Sequence, residues 1–526
     1  MVERSNPMAD IAKGVRSFTL GTAISRVLGL VREQVFAYLF GAGTSTDAFN
    51  AAFRIPNTLR DLFAENALSA AFVPALTDQK GKGREAQNLF ASNILNTLLI
   101  FAGAATLAGI VFSTWLVRFI APGFEKIPGK VALTGNLTAV MFPFLLFIAL
   151  AAWAMSVLNT ENEFFIPSLA PAFFNVFSII TPIALYAYLR ARGADPIYGM
   201  AIGVTVGGLM QLAIQLPRLY KRGFRYRFYL NFRDPEFRKV MALFVPVAIG
   251  LSGSRINIFV NTMLISLLAE RSLTWLNYAF RIQHLPLGLF GIAVGTVALP
   301  ALSRFVADGR TGEVRATLFD SLKMVLFLTL PTSALIAFLA NPITSVIYEH
   351  GRFRPEDTIP VAQILVLYMI GVPFISALRN VAAVFYASKD ARAPMFASFA
   401  SVGVNIVLNL ALMRVLGYRA FPLSATIAAV VNILILFLIL PKKIGAFDQR
   451  PLLKYAGLMS AASLLCGGVA AGLFYGLRSI AGRSFLVNLT GVVLCGVVGL
   501  LVFYAACRVM GLDEVRSYVK RFARFR

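Results

Sequence analysis

Long apolar runs separated by short basic stretches fill this chain from end to end. Fourteen of them are near or above the ~20 residues a helix needs to cross ~30 Å of hydrocarbon. They cover roughly 17–40, 46–76, 88–113, 131–158, 166–190, 196–218, 239–268, 273–303, 314–342, 359–387, 394–416, 421–440, 455–477 and 485–508. Strict alternation of apolar and polar positions is absent, so the pattern predicts helices rather than a membrane barrel. Backbone polar groups have no water partner in lipid, and a helix satisfies them internally. The expected fold is therefore all-α and polytopic.

The pattern also repeats. Ser25-Arg26-Val27 returns as Ser254-Arg255-Ile256, and Ala52-Phe53-Arg54-Ile55 returns as Ala279-Phe280-Arg281-Ile282. Leu62-Phe63 returns as Leu289-Phe290, and Pro74-Ala75-Leu76 as Pro300-Ala301-Leu302. The offset stays between 226 and 229 residues and spans six helices, an even number that preserves topology. A parallel repeat of this kind implies two pseudo-symmetric six-helix lobes, with a substrate cavity expected between them. The expected divisions are 1–220 for helices 1–6, 221–440 for helices 7–12, and 441–526 for helices 13–14 and a basic tail.

Composition agrees and narrows the class. The chain is 526 residues long, 58% hydrophobic and only 14% charged. A soluble chain is about a quarter charged, so a soluble enzyme or nucleic-acid module is excluded. The net charge of +24 has to be sorted by topology. With the N-terminus inside, 29 of the 49 basic residues fall in inside segments and 12 in outside loops. The bias places both termini in the cytoplasm. The largest cluster, in 217–239, reads as topogenic and lipid-facing. No signal peptide is evident.

Little in the chain suggests catalysis. The three cysteines have no CxxC spacing, and the two histidines are too few for a metal site. No HExxH, Walker A or GxGxxG motif occurs. The expectation is a transporter with no cofactor and no covalent chemistry, driven by the membrane potential or a monovalent ion.

Eight basic residues fall within spans: Arg26, Arg32, Arg54, Arg60, Arg255, Arg281, Lys323 and Arg379. Six of them lie in spans 1, 2, 7 and 8, the equivalent pairs of the two repeats. A charge in mid-bilayer is costly unless it is paired or wetted; Lys323 reads as snorkelling to an end. Span 2 lines up Asn50, Arg54, Asn57, Asp61 and Glu65 at helical spacing, which permits an Arg54–Asp61 pair. Span 8 lines up Asn277, Arg281, His284, Gly288, Gly291 and Gly295. The acids are too few to balance the arginines, so these stripes predict a wet, positive cavity for a diphosphate or carboxylates. Pro56, Gly288, Gly291 and Gly295 are candidates for gate bending or close packing. Bent, proline-bearing spans suit a transporter.

These residues carry a resemblance. Ser25-Arg26-Val-Leu-Gly-Leu-Val-Arg32-Glu33, Phe40-Gly-Ala-Gly43, Thr46-Asp47-Ala-Phe49, Arg54-Ile-Pro56-Asn57-Thr-Leu-Arg60, Phe63-Ala-Glu65 and Ala71-Phe-Val-Pro74 are similar to the MurJ (MviN) family. So are Pro286-Leu-Gly288, Gly295-Thr-Val-Ala-Leu-Pro300 and Arg379-Asn-Val-Ala-Ala-Val-Phe-Tyr386-Ala. The resemblance implies a lipid II flippase of the bacterial inner membrane, in the multidrug/oligosaccharidyl-lipid/polysaccharide exporter superfamily. It implies alternating access, with lipid II and membrane phospholipids as partners, contact with other cell-wall synthesis proteins, no nucleic acid, and a monomer. The family's cavity residues carry over to Arg26, Arg32, Asp47, Arg60, Glu65 and Arg281, and Arg255 joins them; Arg54 enters from the polar stripe alone. Where the family often has an acid before the equivalent of Arg281, this chain has Phe280. The family's C-terminal helix pair, here spans 13 and 14, implies a groove for the polyprenyl tail. The alternatives are an exporter of another polyprenyl-linked glycan and an ion-coupled drug exporter. A channel or membrane scaffold would have no obvious need of matched polar stripes in two lobes.

Overall fold

The computed structural model describes residues 7–64, 67–446 and 448–512, and they are almost wholly helical. Two compact units emerge, Met1–Leu273 and Thr274–Arg526. Ten helical stretches among the described residues are long and apolar enough to cross a bilayer. Helix occupies every one of the fourteen expected regions.

The first unit contains α1 (Pro7–Phe40), α2 (Thr44–Ala64), α3 (Ala67–Gly81), α4 (Arg84–Val111), α5 (Ser113–Ile120), α6 (Lys130–Met141), α7 (Pro143–Thr160), α8 (Phe165–Ala191), α9 (Ile197–Ala213), α10 (Leu216–Lys221) and α11 (Pro235–Ser266). The fourth expected span is two helices, because Pro143 starts a new one; proline has no N–H for the turn before it. Pro56, by contrast, is buried in an unbroken α2. α11, first in the second sequence repeat, packs in this unit against α2 and α3.

The core of this unit is built on Phe72, Leu76, Phe90, Ile94, Trp153 and Leu158. The Trp153 indole donates to the Ala91 carbonyl at 3.0 Å, which satisfies the one polar atom of a fully buried ring. Phe224 closes this core edge-on against Trp153, with ring centroids 5.2 Å apart. It begins an extended strap over 224–231. The strap is registered on α4: Asn93 donates to the Asn231 carbonyl at 3.0 Å and accepts the Asn231 N–H at 2.9 Å. Asn96 donates to the Tyr229 carbonyl at 2.9 Å. The basic 217–239 connection is thus partly fastened to protein, with Tyr226, Phe228 and Phe232 exposed.

The second unit contains α12 (Ser272–Pro286), a π-turn at Leu287–Gly291, α13 (Ile292–Ala307), α14 (Thr311–Phe338), α15 (Ala340–Tyr348), α16 (Pro355–Ala387), α17 (Arg392–Leu416), α18 (Ala420–Ile439), α19 (Pro441–Ile444), α20 (Arg450–Ala481) and α21 (Phe485–Val509). The π-turn follows Pro286 directly, at the glycine run singled out above. A Cβ on Gly291 would lie 2.5 Å from Ser376 Oγ on α16, so this glycine permits a close approach of two helices. Gly288 faces open space and Gly295 meets only ordinary contacts. Lys323 lies over the Tyr455 ring at 5.5 Å.

Candidate functional site

The stripe of α1 that meets α8 reads Gly21, Ser25, Gly29 and Arg32, recurring at helical spacing. A Cβ on Gly21 would fall 2.9 Å from the Ser168 carbonyl carbon. Glycine there lets α1 lie close on α8 and carries Ser25 and Arg32 into the interior. Asn175 of α8 donates to the Ser25 carbonyl at 3.0 Å and fixes the register of the pair.

This packing leaves a cavity of about 350 Å³ whose wall includes Arg32, Arg60, Phe174, Asn175, Gln211 and Gln215. The Arg32 guanidinium bonds Glu33 at 2.7 Å and lies 5.4 Å over the Phe174 ring. Arg60 reaches the same cavity from the C-terminal half of α2. Gln215 is 1% exposed. Its amide N–H donates to the Gln211 carbonyl at 2.9 Å and the Ala151 carbonyl at 3.2 Å. Its Oε1 is buried with no donor. Among the described residues that line the cavity none is a carboxylate, and Glu33, the partner of Arg32, is not among them. It is a chamber with two guanidinium groups, several amides and an apolar floor from Phe144 and Ile148. Such a chamber can accept an oxyanion, because guanidinium forks match phosphate oxygens two at a time.

The other expected residues are distributed differently. Arg26 is exposed on α1, and Arg54 and Arg255 are half-buried; all three belong to this unit but lie off the cavity wall. Arg281 is exposed in the second unit. Glu65 lies outside the described residues, and so does the Asp61 side chain on which the Arg54–Asp61 pairing depends. Asp47, expected among the substrate-facing residues, is 2% exposed and is instead committed to protein. Its Oδ2 accepts from Lys130 Nζ at 3.0 Å and from the Arg271 N–H at 2.8 Å. Lys130 also sits 4.2 Å over the Phe124 ring. Sequence alone counts Lys130 with an outside loop; the structure buries it, and Asp47 with it, because each is the other's counter-charge. His284 bonds the Phe280 carbonyl of its own helix at 3.1 Å.

Gln211, Gln215 and Asn175 were not singled out from the sequence. Their signal is that an amide in an apolar span must face protein or water, but they stand outside the charged stripes of spans 1, 2, 7 and 8. Two acids at the end of α7 were also missed. Glu161 accepts from Arg84 at 2.7 Å, from Gln87 at 2.8 Å and from Lys80 at 3.1 Å. Glu163 accepts from Arg222 at 2.7 Å and Arg218 at 2.8 Å. Burial pushes both carboxyls upward, but these hydrogen bonds and positive charges outweigh it and hold both below the usual carboxylate range.

An apolar groove of about 620 Å³ opens in the second unit, with Leu326, Phe338, Met369, Phe374, Leu434 and Leu453 among its walls. It runs between α14, α16, α18 and α20. Of the last two spans, α20 lines this groove and α21 supplies none of the lining residues. α21 packs instead on α20 and α15.

A family model described as "Lipid II flippase MurJ" matches residues 36–494. A lipid II flippase MurJ of Burkholderia cenocepacia is 34% identical over 461 residues, covering 86% of this chain and 88% of its own. A probable lipid II flippase MurJ of Rhizobium meliloti is 33% identical over 519 residues, covering 96% and 95%. A solved structure of a lipid II flippase MurJ in an inward closed conformation superposes with a TM-score of 0.76, at 27% identity, over 95% of this chain and 99% of that one. An inward-facing multidrug resistance MATE transporter shares the fold, with a TM-score of 0.62 at 14% identity over 82% of this chain and 98% of that one.

Proposed function

Since the chain belongs to the MurJ lipid II flippase family, we propose that it carries lipid II across the bacterial inner membrane by alternating access. The protein is a transporter: it moves a lipid-linked headgroup and makes or breaks no covalent bond. The Arg32–Arg60 cavity is the observation that carries the finer reading. A diphosphate leaving water must have its charge met, and the guanidinium groups of Arg32, already paired on one side with Glu33, and Arg60 offer N–H donors to it. Gln211, Gln215 and Asn175 supply neutral hydrogen bonds to the sugar or diphosphate, strong enough to replace water and weak enough to release. Arg26, Arg54, Arg255 and Arg281 are further residues for the anionic headgroup, with both termini cytoplasmic and fourteen crossings in a monomer. The polyprenyl tail travels in the apolar groove between α14, α16, α18 and α20, where its CH₂ groups stay out of water. An arginine-rich empty carrier returns with help from the membrane potential, worth ~2.3 kcal/mol per charge per 100 mV.

Arg32→Ala and Arg60→Ala test the cluster. Each is expected to lower lipid II flipping in whole cells about tenfold or more, equivalent to ~1.4 kcal/mol. Flipping at the wild-type rate in both, at equal protein levels, contradicts the assignment of the headgroup to this cavity.

A further inference from the structure

The turn between α20 and α21 borders a second cavity, of about 570 Å³, within the second unit. One wall, from α15 and the start of α16, carries Glu349 and Glu356; the other carries Arg478 and Arg483. Glu356 pairs with Arg354 at 3.6 Å, Glu349 accepts the Thr358 hydroxyl at 2.8 Å, and neither Arg478 nor Arg483 makes an ion pair among the described residues. Asn488, 6% exposed, lines the same cavity. Its amide donates to Ser345 Oγ at 3.3 Å, while its Oδ1 is buried with no donor. Arg478 Nε is buried with no acceptor. Two residues that line this cavity thus each carry a buried polar atom with no protein partner, which costs stability.

A ligand that fits offers an oxyanion to Arg478 and Arg483, and an N–H donor to Glu349 on the opposite wall. The rim narrows its class. Ile480 is 88% exposed and Leu486 67%, at the ends of two helices apolar enough to cross a bilayer. Phe485 carries that apolar surface into the cavity wall. A soluble ligand gains nothing from such a rim, whereas an amphiphile lays its chains along it. We propose that this cavity binds the headgroup of a phosphoethanolamine-type phospholipid, with its phosphodiester on Arg478 and Arg483 and its primary ammonium on Glu349. The site is separate from the Arg32–Arg60 cavity and does not depend on what that cavity carries.

The test uses the full-length protein, stripped of lipid in detergent. It is mixed with phosphatidylethanolamine, phosphatidylglycerol or phosphatidylcholine of identical chains, and bound lipid is counted by native mass spectrometry. Phosphatidylethanolamine is expected to bind preferentially, because phosphatidylglycerol has no ammonium and the choline head has no N–H. Arg478→Gln is expected to weaken that binding about tenfold, or ~1.4 kcal/mol. Glu349→Gln is expected to narrow the preference over phosphatidylglycerol. It sits on the opposite wall, so it decides the matter if the arginine variant does not fold. Equal binding of the three lipids, or unchanged binding in a folded Glu349→Gln, overturns the proposal. Displacement of the lipid by free phosphoethanolamine or inorganic phosphate at comparable concentration also overturns it, in favour of a soluble phosphate compound.

Discussion

Asp47 and Lys130 illustrate how a charge can sit in an apolar protein when its counter-charge lies beside it. Their side chains are 3% and 1% exposed, and the carboxylate also holds the Arg271 N–H, where the backbone takes a left-handed φ of 74°. A buried pair is a weak source of net stability, but removing one partner leaves an uncompensated charge. Lys130→Met is therefore expected to destabilise the protein by about 3–5 kcal/mol, measured by thermal unfolding in detergent. Pairing it with Asp47→Asn is expected to recover most of that loss. A double variant no better than the single one contradicts the pairing. This contact was not legible in the sequence, because 83 residues separate the partners and nothing local marks Lys130 as buried. The placement of Arg32 on a helix was legible, and its cavity partner Arg60 was already among the embedded arginines. Their meeting depends on the packing of α1, α2 and α8, which periodicity does not encode.

At the scale of elements, apolar periodicity located helix in every expected region, since a long apolar run in lipid has no other way to satisfy its backbone. Breaks within those regions were harder to read. Pro143 divides one span and Pro286 precedes a π-turn, yet Pro56 leaves α2 whole. The residue type is the same, and the surrounding packing decides. Charge counting had a similar limit. Lys80, Arg84, Arg218 and Arg222 entered the inside tally as topogenic charges, and the structure gathers them on Glu161 and Glu163. Those two acids stand in an inside connection that has no lysine or arginine of its own. Both carboxyls titrate below their ordinary range, so the clamp's contribution to stability is complete above the ordinary carboxylate pKa. It is lost as pH falls through the lowered values. Thermal stability is expected to decline on acidification through that window, and Glu161→Gln to flatten the decline. A wild-type profile that is flat from neutral pH into that acidic range contradicts the clamp.

At the scale of the molecule, two kinds of organisation coexist. The sequence repeats with an offset of 226–229 residues, but the compact units divide after Leu273, and α11 packs with the helices that precede it. Motif spacing records the repeat, while contacts record how one helix was recruited by its neighbours. The function rests on the family match over 36–494 and on a positive, amide-rich cavity in the first unit.

The most direct test is leaflet-resolved transport of lipid II by the purified protein in sealed vesicles, with and without an imposed voltage. Wild-type protein is expected to move lipid II between leaflets, and the Arg32→Ala/Arg60→Ala double variant to be slowed at least about tenfold, or ~1.4 kcal/mol. Failure of the folded wild-type protein to move lipid II under either condition contradicts the central claim. Equal rates for wild type and double variant contradict its placement in this cavity.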